Sequence, residues 1–352
     1  MKRFGSFSKT VIPPVGVLLV GLSLPFWLIT SEYVLAVASV AVIWAVAAQG
    51  WNIAGGYGGM LSFGHSVFFG IGAYTTALLT IHAGITPWIG MLVGAVIAAA
   101  VGAVLTFPAL RLKGVYFTLA TFVLTLLFTD LATHFREFTG GDVGLSLPFV
   151  RNDPLWFKFD SRLTLYFILI GFLAVVTLIV SMIARSGLGL FLRAVRDDPE
   201  AASAAGVSVT RIRLTGLMVS AAVTSIAGSL MVEYLRFIDP ATGFGAGTAF
   251  IIGLVALVGG RGTVLGPVLG AALLIPVQQI LSSTFSSWAG VGGMAYAVIV
   301  AAVMLIDHRG LHHILVRAGR AVGRLFSGVR RGSGPRVVDH PSHAEPEKGD
   351  RS

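Results

Sequence analysis

Apolar residues in this chain come in blocks of about twenty, separated by short polar breaks; as helix, a block of that length crosses a bilayer core of about 30 Å. The pattern predicts spanning helices over roughly 11–30, 34–53, 65–83, 87–108, 115–133, 164–184, 212–233, 248–260, 264–283 and 290–306, the eighth being short. The first block follows Lys2, Arg3 and Lys9 as a signal peptide would, but it is long and ends in WLITSEY without a small-residue cleavage site, so it is read as a helix. The glycine-rich stretch 55–64 (GGYGGMLSFG) is either a loop or a segment dipping into the membrane. Irregular backbone survives at membrane depth only where protein or a water-filled cavity surrounds it.

Two polar stretches interrupt or end the pattern. The break at about 185–213 contains RAVRDDPEAASAAGVSVTRIR (193–213), which predicts a short, well-bounded helix over 198–206. Asp198 suits the N-cap, Pro199 the first helical position and Glu200 the positive end of the dipole. Four alanines follow, and Gly206 fits the left-handed position that ends a helix. Ser208 is placed to cap the next helix. After about 307 a basic tail begins. GLHHILVRAGRAVGRLF carries Leu311, Ile314, Leu315, Val322 and Leu325 among basic residues, as either a surface amphipathic helix or a frayed positive end, and beyond about 328 the tail reads as disordered. The chain thus divides into a membrane domain, 1–306, and a tail, 307–352.

Composition agrees with an all-α polytopic membrane protein. Of 352 residues 55% are hydrophobic and 12% charged, against about 25% charged in a soluble domain. With no cysteine the chain has neither disulfides nor thiolate metal sites. A net charge of +9 raises the question of nucleic acid, but basic residues in a membrane protein first report orientation. With the N-terminus inside the cell, inside segments hold 20 of the 25 Lys and Arg, and still 11 against 5 without the tail. Both termini are therefore expected in the cytoplasm.

Candidate chemistry is sparse. The glycine-rich stretches 55–64 and 253–270 lie one in each half of the chain, each followed by a helix rich in small residues. They serve either close helix packing or broken helices that line a transport path between degenerate halves. Asn52, Tyr57, Ser62 and His65 are the polar groups available to line such a path, although a histidine of this kind is also a common structural residue. Asp130 is the most deeply placed acid, with pairing to Arg136 or capping of the next loop as the alternative to a functional role; Glu233 sits at a span's edge. No mid-depth ladder of acids or histidines, as ion coupling needs, is present. Thr139, Gly140, Gly141 and Asp142 read first as a turn on the outer side. Nothing matches GxxxxGK[ST], a nucleophile elbow or HExxH, so neither ATP hydrolysis nor other catalysis is expected of this chain.

Glu200-Ala201-Ala202, three residues and then Gly206 is the E-A-A-x-x-x-G core found in the cytoplasmic loop of ABC importer permeases. The Ile-x-Leu-Pro that follows in that pattern is absent: Ile212-Arg213-Leu214 is followed by Thr215. WNIAGGYGGMLSFGHSVFFGIGAYTTALL (51–79), LRLKGVYFTLAT (110–121), FTGGDVGL (138–145) and VALVGGRGTVLGPVLGAALL (255–274) resemble segments of branched-chain amino acid ABC permeases of the LivM type, in order and roughly in spacing. Asp130 stands where a Glu is expected. The resemblance implies an inner-membrane transport subunit for branched-chain or other hydrophobic amino acids, partnered by a related permease, two ATP-binding subunits and an extracytoplasmic solute-binding protein. ATP would be used by the separate subunits, and the chain would hold no cofactor or metal. Glu200, Ala201, Ala202 and Gly206 would form the coupling helix, and Thr139–Asp142 would shape an outer gate or meet the binding protein. A urea, amide or sugar permease is the nearest alternative. A secondary transporter would need an embedded ion site, and a membrane enzyme would need clustered catalytic groups.

Overall fold

A computed structural model describes residues 12–21, 23, 31–110, 112, 114–148, 153–288, 290–306, 311 and 313. Every apolar block of the sequence is helical where it is described. In chain order the helices are α1 (Ile12–Gly21), α2 (Glu32–Trp51), α3 (His65–Ala83), α4 (Pro87–Ala109), α5 (Val115–His134), α6 (Arg136–Thr139), α7 (Arg162–Arg185), α8 (Gly187–Asp197), α9 (Pro199–Ala204), α10 (Val209–Leu235), α11 (Pro240–Phe244), α12 (Ala246–Gly260), α13 (Gly266–Thr284) and α14 (Val291–Ile306). Eight stretches are long and apolar enough to cross a membrane, α11 and α12 counting together; α1 and the apolar part of α14 are shorter. Against the ten segments expected, eight stand at full spanning length among the described residues, and the first and tenth are represented by the shorter helices α1 and α14. The chain is a multi-pass helical membrane protein.

Two boundaries differ from expectation. The eighth segment does not begin at 248. Asp239 caps a first short turn by accepting from the Thr242 N–H (3.3 Å), Pro240 occupies its first position, and the helix resumes after Gly245, giving a 21-residue stretch from Pro240 to Gly260. The polar break 185–213 is more than a loop with one short helix. It opens with α8, whose buried Gly189, Leu192 and Val195 form one face against the bundle. Apart from Leu311 and His313, the basic tail lies outside the described residues, as does the end of the first apolar block.

The centre of the bundle is α2 and α10, with α3, α4, α7 and α13 around them. Among the apolar residues that α10 buries stand small hydroxyl residues, Ser220, Thr224, Ser225 and Ser229, and Ser220 and Ser229 bond to neighbouring helices. Ser229 donates to the Gly72 carbonyl (3.0 Å) and accepts from Thr76 (2.8 Å), joining α10 to α3. Small residues let backbones approach: a Cβ on Gly228 would overlap the Phe69 carbonyl, and one on Gly72 the Ser225 carbonyl. The faces of α4 and α5 are different. Leu92, Val96, Val104, Val115, Tyr116 and Val123 are each more than half exposed, surface that only lipid or another membrane helix can cover. At the end of the bundle away from α9, two short strands, β1 (Leu145–Ser146) and β2 (Phe237–Ile238), pair antiparallel with Leu145 opposite Ile238.

Candidate coupling and translocation site

The short helix α9 is built as its sequence demands. The Asp198 carboxylate accepts from the N–H groups of Glu200 (2.9 Å) and Ala201 (3.0 Å), and Pro199 opens the first turn. Gly206 has φ +84° and closes the helix: its N–H donates to Ser203 O, and that of Val207 to Ala202 O, the paired bonds of a Schellman end. Glu200, Ala201 and Gly206 are exposed, while Ala202 is buried and seats the helix on the bundle. Ser208 stands at the N-cap position of α10 but its hydroxyl makes no capping bond there; its backbone carbonyl accepts from Ile212 instead.

Beside α8, which leads into α9, the two glycine-rich stretches of the sequence meet. α2 does not end at Trp51 but continues as a π-helical turn, Asn52–Tyr57, fully buried. The Asn52 side chain accepts from the Gly262 N–H (2.7 Å) and donates to the Thr263 carbonyl (2.8 Å). One turn earlier, Gln49 donates to the Val264 carbonyl (2.7 Å). The end of α2 is thereby bound to the α12–α13 connection by main-chain contacts 210 or more residues away. Glycine is required at the contact itself, because a Cβ on Gly56 would lie 2.5 Å from the Gly262 nitrogen. α8 reaches the same place through two arginines. Arg196 donates to the Gly56 carbonyl (3.1 Å), and the Arg193 guanidinium lies 6.0 Å from the Tyr57 ring centre.

Residues 58–64 then run as an irregular strap between the π-helical turn and α3, with Gly58, Met60, Ser62 and Gly64 buried and Gly59 and Leu61 exposed. Three threonines on one face of α5 hold it. Thr118 donates to Leu61 O (2.7 Å), Thr121 accepts from Phe63 N (3.2 Å), and Thr125 donates to Phe63 O (2.9 Å). The Ser62 hydroxyl accepts from Gly64 N (3.1 Å), and its carbonyl accepts from Trp51 Nε1 (2.7 Å). His65, first residue of α3, bonds Ser220 on α10. Asn52, Tyr57, Ser62 and His65 are thus brought into one region, but all are 3% exposed or less, engaged in packing and bonding within the chain. The open space lies next to them. A cavity of about 540 Å³ separates α9 from the strap and α5, lined among others by Gly59, Leu61, Thr118, Pro199, Glu200 and Arg213.

At the far end of α5, Thr139 donates to the carbonyls of Ala132 (2.5 Å) and Phe135 (2.9 Å) and accepts from Gly141 N (3.1 Å). Gly140, Gly141 and Gly144 all have positive φ, so this is the sharp turn its composition predicts. Asp142 is exposed and faces Arg136 at 3.9 Å. Arg136 therefore pairs with Asp142 rather than with Asp130, which is exposed on α5 and has no ion pair or hydrogen bond among the described residues. An ionic cluster that sequence reasoning missed closes the end of α10. The Glu233 side chain is fully buried and accepts from Arg236 (2.7 Å), which also donates to Phe157 O (3.0 Å). Lys158, itself buried, donates to Pro148 O; burial holds its ammonium below the ordinary lysine value, with Arg236 adding to the effect and Glu233 opposing it. Glu233 and Arg236, three apart across a helix end, were the signal available in sequence.

This geometry offers hydrogen bonds that position helices and an exposed short helix for a partner. Among the described residues no group of three or more His, Asp or Glu could hold a metal ion. The chain belongs to the family described as branched-chain amino acid transport system / permease component, which matches residues 33–306. It is thus a permease component and not an enzyme. It is 29% identical over 299 residues to the high-affinity branched-chain amino acid transport system permease protein LivM of Salmonella typhimurium, covering 79% of this chain and 70% of the relative. It is 25% identical over 279 residues to the permease protein LivH of the same organism, covering 75% and 89%. A fructose import permease protein, FrcC of Rhizobium meliloti, is 35% identical over a shorter stretch of 103 residues, 28% of this chain and 29% of the relative. No solved structure matches the chain.

Proposed function

We infer that this chain is one transmembrane subunit of an ATP-driven importer for branched-chain or other hydrophobic amino acids, and that it forms the translocation pathway with a second permease. The complex would include two ATP-binding subunits on the cytoplasmic side and an extracytoplasmic binding protein, in the bacterial inner membrane. Ten spans with both termini inside agree with the distribution of basic residues. The observation that carries the reading is α9: a capped helix with Glu200 and Ala201 exposed, following directly on α8, whose Arg196 reaches the junction where both glycine-rich stretches meet. ATP-driven movement of a docked subunit would shift α9 and bias the bundle between outward and inward access, which requires a different affinity of that subunit for the two states. Thr139–Asp142, just beyond the opposite end of α5, would shape an outer gate or meet the binding protein.

Labelled leucine uptake into proteoliposomes holding this chain, its partner subunits and the binding protein tests the reading. Uptake is expected with ATP at the ATPase face and no ion gradient. Uptake on gradients without ATP would sink it. Unlabelled fructose, urea and isoleucine as competitors separate the substrate classes, and isoleucine alone is expected to compete.

A further inference from the structure

Arg196 lies two residues before the cap of α9 and touches the π-helical turn, the strap and the α12–α13 connection. Its Nη1 donates to the Gly56 carbonyl (3.1 Å), one of the last carbonyls of the π-helical turn, where no helical N–H is left to fill it. Its stem crosses Gly59, which has φ +69° and where a Cβ would fall on the Arg196 Cγ. Nη1 lies 3.3 Å from where a Cβ of Gly262 would stand, so the guanidinium also abuts the α12–α13 connection. The other guanidinium edge faces Asp197, with both Nε and Nη2 at 2.9 Å from its Oδ1. A planar, multi-donor cation holds several acceptors in fixed directions at once, whereas the three donors of an ammonium rotate about a point charge and fix no such plane.

We propose that Arg196 is the positioning residue that transmits movement of α9 to the end of α2, and through Asn52 and the 58–64 strap to the α12–α13 connection and α5. The inference rests on the importer reading above. The route is physically continuous. Arg196 holds Gly56, Asn52 of the same π turn holds Gly262 and Thr263, and Thr118, Thr121 and Thr125 hold the strap that follows. π-helical turns are a recurrent feature of helices that change shape in function. Spatial continuity alone does not establish coupling, so the test must read coupling itself.

The measurement is leucine taken up per ATP hydrolysed, in proteoliposomes of the complete complex with its binding protein. Arg196→Gln keeps the Cβ and Cγ over Gly59, but its amide stops short of the Gly56 carbonyl. It is expected to assemble in normal stoichiometry and to hydrolyse ATP, with uptake per ATP reduced about tenfold or more. Arg196→Lys, with charge and donor but no fork, is expected to lose about threefold. Asp197→Asn, which leaves the Gly56 bond in place, is expected to stay near wild type. A wild-type ratio in Arg196→Gln, or an equal loss in Asp197→Asn, overturns the proposal. Should the glutamine variant fail to assemble, an unchanged ratio in Arg196→Lys overturns it and a reduced one supports it. If the unsubstituted complex shows no ATP-driven uptake, the importer reading and this inference fall together; if it does and Arg196→Gln matches it, the inference falls alone.

Discussion

His65 and Ser220 share a hydrogen bond of 2.8 Å across 155 residues of sequence, and the Ser220 hydroxyl donates onward to the Gly50 carbonyl at 2.6 Å. Since that hydroxyl proton is spent on Gly50, His65 must donate from Nε2. One serine of α10 therefore ties together α2 and the start of α3 just behind the strap. Ser220→Ala leaves the fully buried His65 donor without its acceptor. Interhelical hydrogen bonds in membranes average about 0.6 kcal/mol, but an orphaned buried donor costs more, and a loss of about 1–2 kcal/mol is expected. A lowered thermal midpoint of the purified complex checks this; an unchanged one removes the bond from any account of stability.

The α3–α10 crossing depends on closeness of backbone. Gly228→Ala would press a methyl group into the Phe69 carbonyl, where no side chain can rotate away. A cost of about 3 kcal/mol, the upper end of overpacking, is expected, seen as loss of folded complex in size-exclusion profiles. Gly171→Ala on α7 is the control. A Cβ there meets nothing within 4 Å, so the helix should gain about 0.5–1 kcal/mol.

α9 should be weakened from either end by different means. Asp198→Ala removes both capping bonds, at a cost of about 1 kcal/mol to the helix. Gly206→Ala strains the left-handed position by roughly 1–2 kcal/mol without any steric clash, as its Cβ would stand in open space. Both variants are expected to assemble and to lower ATP-driven uptake, Glu200→Arg more severely and with ATP hydrolysis retained. Normal transport by Glu200→Arg in a complex of normal stoichiometry would exclude a coupling role for α9.

At the far end, Arg236→Ala should be worse than Glu233→Gln. Taking away the arginine leaves a carboxylate of 0% side-chain exposure without its principal partner, a loss of about 3 kcal/mol, whereas the amide of the glutamine variant needs no counter-charge. Thermal midpoints of the two single variants decide the order. Equal midpoints would mean the pair contributes only as packing.

Helices were legible because apolar runs and caps act locally: α3 starts and stops at His65 and Ala83 as expected, and Asp198, Pro199 and Gly206 take the positions their chemistry predicts. α8 was hidden because it starts in a short apolar run, 187–192, and ends in a charged one, with Leu188, Leu192 and Val195 making its packed face. The expectation that Asn52, Ser62 and His65 were available to line a path was reasonable from polarity alone. Their partners are Thr263, Trp51 and Ser220, of which two lie more than 150 residues away, and no local pattern reports such pairings. The threonine ladder was more accessible: Thr118, Thr121 and Thr125 recur at helical spacing in an otherwise apolar span, each needing an acceptor or donor. Arg196 carries no sequence signal beyond its charge, because what distinguishes it is a carbonyl 140 residues earlier.

The contact between Gly56 and Gly262 carries a consequence for how this transporter can vary. The two positions face each other as bare backbone, with the Asn52 amide filling the remaining space. A larger residue on one side therefore cannot be accommodated by a smaller one on the other, since both are already at the minimum. Second-site suppressors of a change at Gly56 should arise outside the pair, among residues that set the spacing of the two segments, such as Asn52, Gln49 and Arg196. Genetic compensation would then map the mechanical neighbours of this junction without any structure in hand.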